Sequence, residues 1–309
     1  MTSISQKDFF LKYQKLNRAY SKKLIFQLTD RGFASEMNSL LLSVLYCLVF
    51  GEQLVIYDRN WNSGRFKDYY KPFCKSYYSL FRMPSLIFSS TGRRRQLYLR
   101  IHKILYPNRE LLTVDKWASI YGKEWQSKRI FIPDLDIDGD VFHALYILEK
   151  NLFQLNIQTS QILKSKIDSI CVSNISGIHV RRGDKLIREA KHFDLEKYIN
   201  EITKHADNVT KVFIATDTYE AIEELKIVYP AIEIISNCEK TDLGHFQKKF
   251  NNSSKEIRFN KTIGVILDIL ILTNCQVFVG TFSSNIGRLV HLKRNGKMSF
   301  NLDDIWRAG

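Results

Sequence analysis

SGIHVRRGDK, residues 176–185, decides how this chain reads. Ser176 to Val180 has the small and β-branched residues of a buried strand, and it runs straight into Arg181, Arg182, Asp184 and Lys185. An ordinary turn asks only for small or polar residues. Charge gathered where a strand ends has another use, because parallel α/β sheets bind ligands beyond the carboxyl ends of their strands.

Working outward, KVFIATD (Lys211 to Asp217), IEIIS (Ile232 to Ser236), QVFVGT (Gln276 to Thr281) and KMSFNL (Lys297 to Leu302) read as further strands. Helical spacing lies between them, near Leu195 to Ala206, Tyr219 to Val228, Lys261 to Thr273 and Ser284 to Leu292. This β/α succession predicts a parallel sheet wrapped by helices. In the first half, KKLIFQL (Lys22 to Leu28) and QLVIYD (Gln53 to Asp58) read as strands around a helix from Ser35 to Phe50, with RIFIPD (Arg129 to Asp134) as a third strand. Phe142 to Ile170, helical in spacing, bridges the halves, giving an N-terminal α/β lobe of residues 1–155 and a C-terminal lobe of residues 156–309.

The 309 residues, 45% hydrophobic and 25% charged, suit two domains with their own cores. The first twenty residues are too polar for a secretory signal, and the apolar run from Leu40 to Phe50 is too short to span a bilayer and reads as a buried helix. Five scattered cysteines without a CxxC spacing predict reduced thiols in a cytoplasmic protein. Lys and Arg number 46 against 32 Asp and Glu, a net charge of +14, which predicts an anionic partner. The basic cluster TGRRRQLYLRIHK, Thr91 to Lys103, is either a solvated face or a contact to lipid phosphates at a membrane surface. Charge alone does not make a nucleic-acid binder, and no recognition motif accompanies it. Neither GxGxxG nor a P-loop occurs.

Three strand ends carry unusual residues: HVRRGDK, ATD and GTFSS. A guanidinium forks onto phosphate oxygens and stays charged, which suits a diphosphate. Side chains alternate along an extended chain, so one of Arg181 and Arg182 is expected on the ligand and the other on the loop. Ser283 or Ser284 falls at a helix N-cap, where free backbone N–H groups also suit phosphate. Asp268 interrupts the apolar GVILDILIL, Gly264 to Leu272, and needs donors such as the paired N–H groups of guanine, a lysine or a backbone cap. His179 is a core histidine or a ligand contact. PDLDIDGD (Pro133 to Asp140) imitates a calcium loop but has Leu145 where the bidentate Glu belongs, leaving a metal-binding DxD or a polar turn that begins a helix. The seven histidines show no zinc spacing, so no metal is expected.

In order, HVRRGDK, FIATD, GVILDI, GTFSSNIGR and NLDDIW resemble the α-1,6-fucosyltransferases from Ser176 to Trp306, with weaker support from KLIFQLTDRGFASEMNS and from Asn60 and Trp61. The resemblance implies a GT-B-type α/β fold of two Rossmann-like lobes with a cleft between them, the first on the acceptor side and the second binding the GDP-sugar donor. It implies inverting transfer of L-fucose from GDP-fucose without a metal, to a glycan acceptor such as a bacterial surface polysaccharide or lipid-linked oligosaccharide. Arg181 is then the pyrophosphate contact, Glu189 the general base, and Lys185, Arg182 and Asp184 order the loop or touch the substrates. His179 and Asp268 pair with guanine, Asp217 matches the aspartate after the ATD strand, and Ser283 and Ser284 are the phosphate-side hydroxyls, followed by Asn285 in place of the family's Gln. Thr218 replaces a second acidic residue, and the family's glycine-rich loop is reduced to GFAS. The chain ends after DDIWRAG without the core enzyme's barrel module, which points to an acceptor other than a mature protein N-glycan. An α-1,2-fucosyltransferase, or an inactive relative that binds nucleotide sugar or glycan, is the alternative.

Overall fold

Two parallel sheets organise the chain, and the apolar strands the sequence offers form most of both. The computed structural model describes residues 4–78, 83–84, 92–168, 170, 174–182 and 193–309. The chain divides into two compact units, one of Met1–Arg31, Glu36–Asn156 and Ala308–Gly309, the other of Gly32–Ser35 and Ile157–Arg307.

The first unit opens with α1 (Gln6–Ala19), then β1 (Lys23–Gln27), α2 (Phe33–Phe50) and β2 (Gln53–Tyr57). These are followed by α3 (Arg93–Leu105), β3 (Arg109–Leu111), α4 (Val114–Ile120), α5 (Lys123–Gln126), β4 (Ile130–Ile132), β5 (Ile137–Gly139) and α6 (Val141–Leu152). β1 is central in the parallel order β2-β1-β3. Every residue of β2 is buried, as are four of the five in β1, because helices cover both faces of a parallel sheet. The edge beside β2 is closed by side chain and loop: Asn17 of α1 pairs with the Leu54 backbone at 3.1 and 2.8 Å, and Ile56 exchanges backbone hydrogen bonds with Lys75 and Tyr77. α2 is long and apolar enough to cross a membrane, and 83% of it is buried inside the protein.

The strand expected at RIFIPD forms, but not in the parallel sheet. Ile130–Ile132 pairs antiparallel with β5, outside the parallel sheet, whose third strand is Arg109–Leu111. Phe131, 67% exposed, and Arg129, forked onto Asp138 at 2.5 and 2.6 Å, mark a small solvated ribbon. The acidic PDLDIDGD run is spent on structure: Asp136 takes a left-handed turn at φ 54°, Asp138 meets Arg129, and Asp140 caps α6 by accepting from the His143 N–H at 2.8 Å. It is the polar turn that begins a helix.

The second unit runs α7 (Ile157–Asp168), β6 (Ser176–Val180), α8 (Leu195–Thr203), β7 (Lys211–Thr216), α9 (Glu220–Val228) and β8 (Glu233–Ile235). It continues with α10 (Gln247–Asn252), α11 (Lys255–Asn274), β9 (Phe278–Gly280), α12 (Asn285–Lys293) and β10 (Ser299–Asn301). The five strands are parallel, in the order β10-β9-β6-β7-β8. One face, with Ile178, Val180, Val212, Ile214, Val277 and Val279, packs on α8 and α9; α11 covers the other. Gly177 is the point of closest approach there, since a Cβ would meet Leu272 at 2.8 Å and the Cys275 sulfur at 2.9 Å. α11 begins six residues earlier than the apolar pattern suggests, at a cap where Ser254 accepts from the Ile257 N–H at 3.2 Å. α10 was not expected. Arg294, after α12, donates from Nη1 to the carbonyls of Leu272, Thr273 and Cys275 at 3.0, 2.9 and 2.7 Å. Its Nη2 reaches Gln276 and Met298, both at 3.1 Å, so one cation fastens the end of α11 to the approaches of β9 and β10.

Candidate active site

The strand order of the second unit reverses beside β6. From β6 the chain moves outward through β7 and β8, then returns to β9 on the other side and outward again to β10. Such a reversal opens a crevice at the carboxyl ends of the strands, where ligands bind. HVRR, ATD and GTFSS all end there.

Asp217, just past β7, ties these ends together. Its Oδ1 accepts from the Arg182 backbone N–H at 2.9 Å; its Oδ2 accepts from the His245 backbone N–H at 3.2 Å and lies 4.0 Å from Arg181 Nε. Val180 faces α8 and α9, so alternation sends Arg181 to the α11 side and returns Arg182 to the α9 side. There the Arg182 guanidinium forks onto Glu224 of α9 at 2.7 and 2.5 Å, with its side chain 10% exposed. The Glu224 carboxylate holds the Arg182 pKa above its ordinary value, against the opposing effect of burial. Arg182 is thereby a brace of the strand end, and Arg181 lies on the α11 side of it, partly buried beside Asp217.

The same alternation puts His179, buried, on the face that α11 covers. Leu272 meets β6 at Gly177. A helix linking parallel strands runs back against them, so the four residues from Leu272 to Asp268, about 6 Å of helix, and the two strand residues from Gly177 to His179, about 6.6 Å, travel the same way. Both side chains are carried toward the carboxyl edge of the sheet. Asp268 Oδ1 accepts from Asn237 Nδ2 at 2.8 Å. Burial pushes the Asp268 carboxyl up to about 7; the Asn237 amide opposes the shift and the nearby Asp242 charge adds to it. Asp242 itself is held below the usual carboxylate range: burial would raise it, and the Lys261 ammonium 2.6 Å away prevails.

At the third strand end, Asp303 organises the turn into α12. Its Oδ1 accepts from the Phe282 N–H at 2.7 Å, its Oδ2 from the Ser283 N–H at 3.3 Å, and the Ser283 hydroxyl donates to the same oxygen. The one proton of the Ser283 hydroxyl is therefore spent on Asp303. Ser284, buried, is the N-cap of α12 and makes no side-chain capping bond, so the helix's first N–H groups are not met by its hydroxyl, and such an N-terminus attracts anions. Asn285 Oδ1 accepts from Arg288 Nη2 at 2.6 Å. Gly287 permits this close turn, because a Cβ would lie 2.1 Å from the Thr281 carbonyl oxygen.

Glu36 of the first unit, fully buried, accepts at Oε1 from Thr29 Oγ1 at 2.6 Å and Arg31 Nε at 2.8 Å, tying together the residues on either side of GFAS, which itself groups with the second unit. Asp184, Lys185 and Glu189 lie outside the described residues. Sequence reasoning missed Glu224, Asn237 and His245, which carry no local signal, and left Asp303 without a role although NLDDIW was among its motifs. Among the described residues, no three His, Cys, Asp or Glu side chains gather in a way that could hold a metal ion.

The family model for the alpha-(1,6)-fucosyltransferase N- and catalytic domains matches residues 138–304, which take in every strand end described above. The chain belongs to this family. An alpha-(1,6)-fucosyltransferase of Caenorhabditis elegans is 27% identical over 175 residues, 51% of this chain and 30% of that protein. One of Drosophila melanogaster is 30% identical over 125 residues, 38% of this chain and 19% of that protein. The chain thus spans less than a third of the curated family members it matches. The NodZ alpha-1,6-fucosyltransferase soaked with GDP-fucose shares the fold at a TM-score of 0.55 and 16% identity, over 88% of this chain and 92% of that one. A mutant FUT1 of Arabidopsis thaliana in complex with GDP aligns at a TM-score of 0.50 and 13% identity, over 93% and 72%. The fold is the GT-B type of these fucosyltransferases, built from α/β units.

Proposed function

We propose that the chain transfers L-fucose from GDP-fucose to a glycan hydroxyl, in α-1,6 linkage and with inversion at the anomeric carbon. The observation that carries this reading is the arrangement after β6: Arg182 is forked onto Glu224 of α9, while Arg181 lies beside Asp217 where the strand ends. As the bond between fucose C1 and the β-phosphate oxygen breaks, charge builds on the departing diphosphate. A guanidinium fixed in advance stabilises that charge without reorganisation. Ser284 and the α12 N-terminus supply neutral donors to the same phosphates, and Asp268 with His179 faces the two N–H groups of guanine. Glu189 takes the acceptor proton, with the first unit receiving a polysaccharide precursor or lipid-linked oligosaccharide. The free thiols Cys47, Cys74, Cys238 and Cys275 support a reducing, cytoplasmic setting.

Release of fucose from GDP-fucose and transfer to an oligosaccharide acceptor, both in the presence of chelator, test the reading. Arg181→Ala should lower turnover about 100-fold to 1000-fold, as loss of a preformed oxyanion donor does. Calorimetry should give binding of GDP and none of ADP or UDP. Turnover that survives in Arg181→Ala, or that requires a divalent ion, would overturn the proposed role of the guanidinium.

A further inference from the structure

α3 carries a face that its own unit does not use. His102 is buried and Arg95, Tyr98 and Leu99 are half-buried, with Tyr98 and Leu99 packed on Ile25, Tyr57, Met83 and Leu111. These positions recur every three or four residues and so form one side of the helix. On the other side Leu97, Ile101, Ile104 and Leu105 are 59%, 47%, 78% and 62% exposed. At about 3.6 residues per turn these four make one stripe, and Arg93, Gln96, Arg100 and Lys103, all exposed, make the stripe beside it.

A single exposed leucine needs no explanation, but a continuous apolar stripe marks a surface that meets something. The adjoining cations fix the sign of what it meets. Between Asp68 and Glu110 the sequence holds nine Lys and Arg and no Asp or Glu, and four of the nine, Lys71, Lys75, Arg82 and Arg109, fall outside α3. An extended anionic plane matches that breadth better than an acidic groove shaped for a single helix. The side-by-side stripes suit the boundary between lipid phosphates and acyl chains, where apolar side chains enter and cations stay with the headgroups. We propose that α3 docks this protein on an anionic lipid surface, lying flat with Leu97, Ile101, Ile104 and Leu105 in the interface and Arg93, Arg100 and Lys103 on the phosphates. The proposal is independent of the donor chemistry.

Co-sedimentation of the full chain with vesicles tests it. The wild type should bind mixed phosphatidylglycerol and phosphatidylcholine vesicles, and not phosphatidylcholine alone. The pair Arg100→Gln and Lys103→Gln should weaken partitioning by about tenfold or more, given the attraction of each cation to an anionic surface. The pair Leu97→Ser and Ile104→Ser should weaken it by a similar factor of about ten through lost insertion. All four positions are exposed, so circular dichroism and GDP affinity should stay unchanged. A wild type that ignores both vesicle types overturns the proposal and leaves the face to an acidic protein partner. Apolar variants that partition like the wild type overturn the insertion of the stripe.

Discussion

At the scale of single residues, the site is a set of charges whose partners decide what they can do. Asp268 has the clearest consequence. Its folded pKa, about 7, stands above the ordinary value of 3.8, so between those values the folded protein keeps a proton that the unfolded chain has released. Its contribution to stability is therefore full below the ordinary value and is lost as pH rises through about 7. Between about pH 5 and pH 8, wild-type stability should fall relative to Asp268→Asn by about 2.5 kcal/mol, from roughly 1.4 kcal/mol per unit below the folded value. Denaturant midpoints of the two proteins across that range check it; parallel curves would mean the carboxyl is not desolvated. The residue was legible in sequence because a carboxylate inside GVILDILIL stands out. Glu224 was not, since its bond to Arg182 joins positions 42 residues apart, and a glutamate on an amphipathic helix looks like any solvated one. Asp303 lay in a motif that had been noticed, yet its role depends on the Phe282 and Ser283 backbone turning toward it.

Elements show how backbone approach governs the same site. Gly264 and Gly287 both lie inside helices, and their surroundings give opposite expectations. Nothing lies within 4 Å of a Cβ at Gly264, so Gly264→Ala should stabilise the protein by about 0.5–1 kcal/mol through helix propensity. At Gly287 the obstacle is a carbonyl that cannot rotate away, so Gly287→Ala should cost about 1–3 kcal/mol and weaken GDP binding as α12 shifts from the Thr281 turn. Thermal unfolding and calorimetry of both variants check the pair. Elements were legible where apolar residues run continuously, as in β1, β2, β6 and β7. β3 escaped notice because REL spans three residues with charge at two of them, and the antiparallel pairing of Ile130–Ile132 was not legible because apolar spacing does not name a strand's neighbour.

Over the whole molecule, each unit has its own parallel sheet, and the proposed donor contacts all fall in the second. GDP at a hundredfold excess over its Kd should therefore add about 2.7 kcal/mol to the unfolding of that unit, while ADP adds nothing. Scanning calorimetry with each nucleotide reads this directly, and equal shifts from both would remove guanine selectivity. The α/β class and the succession of strands and helices along the second unit were open to reading because each β/α pair announces itself locally. The placement of charges between units of sequence far apart was not.

The Arg294 fastening bears on how the outer edge of that second sheet endures changing conditions. Its acceptors are peptide carbonyls, which take up no proton in acid and lose none in alkali. Burial lowers the Arg294 pKa, but a guanidinium remains charged at any working pH. Where Lys261 and Asp242, or Arg182 and Glu224, would let go as their carboxylates protonate, this rivet has no titratable half. The rim formed by β9 and β10 should thus outlast the ion-paired rim around β7 and β8 when the protein is acidified.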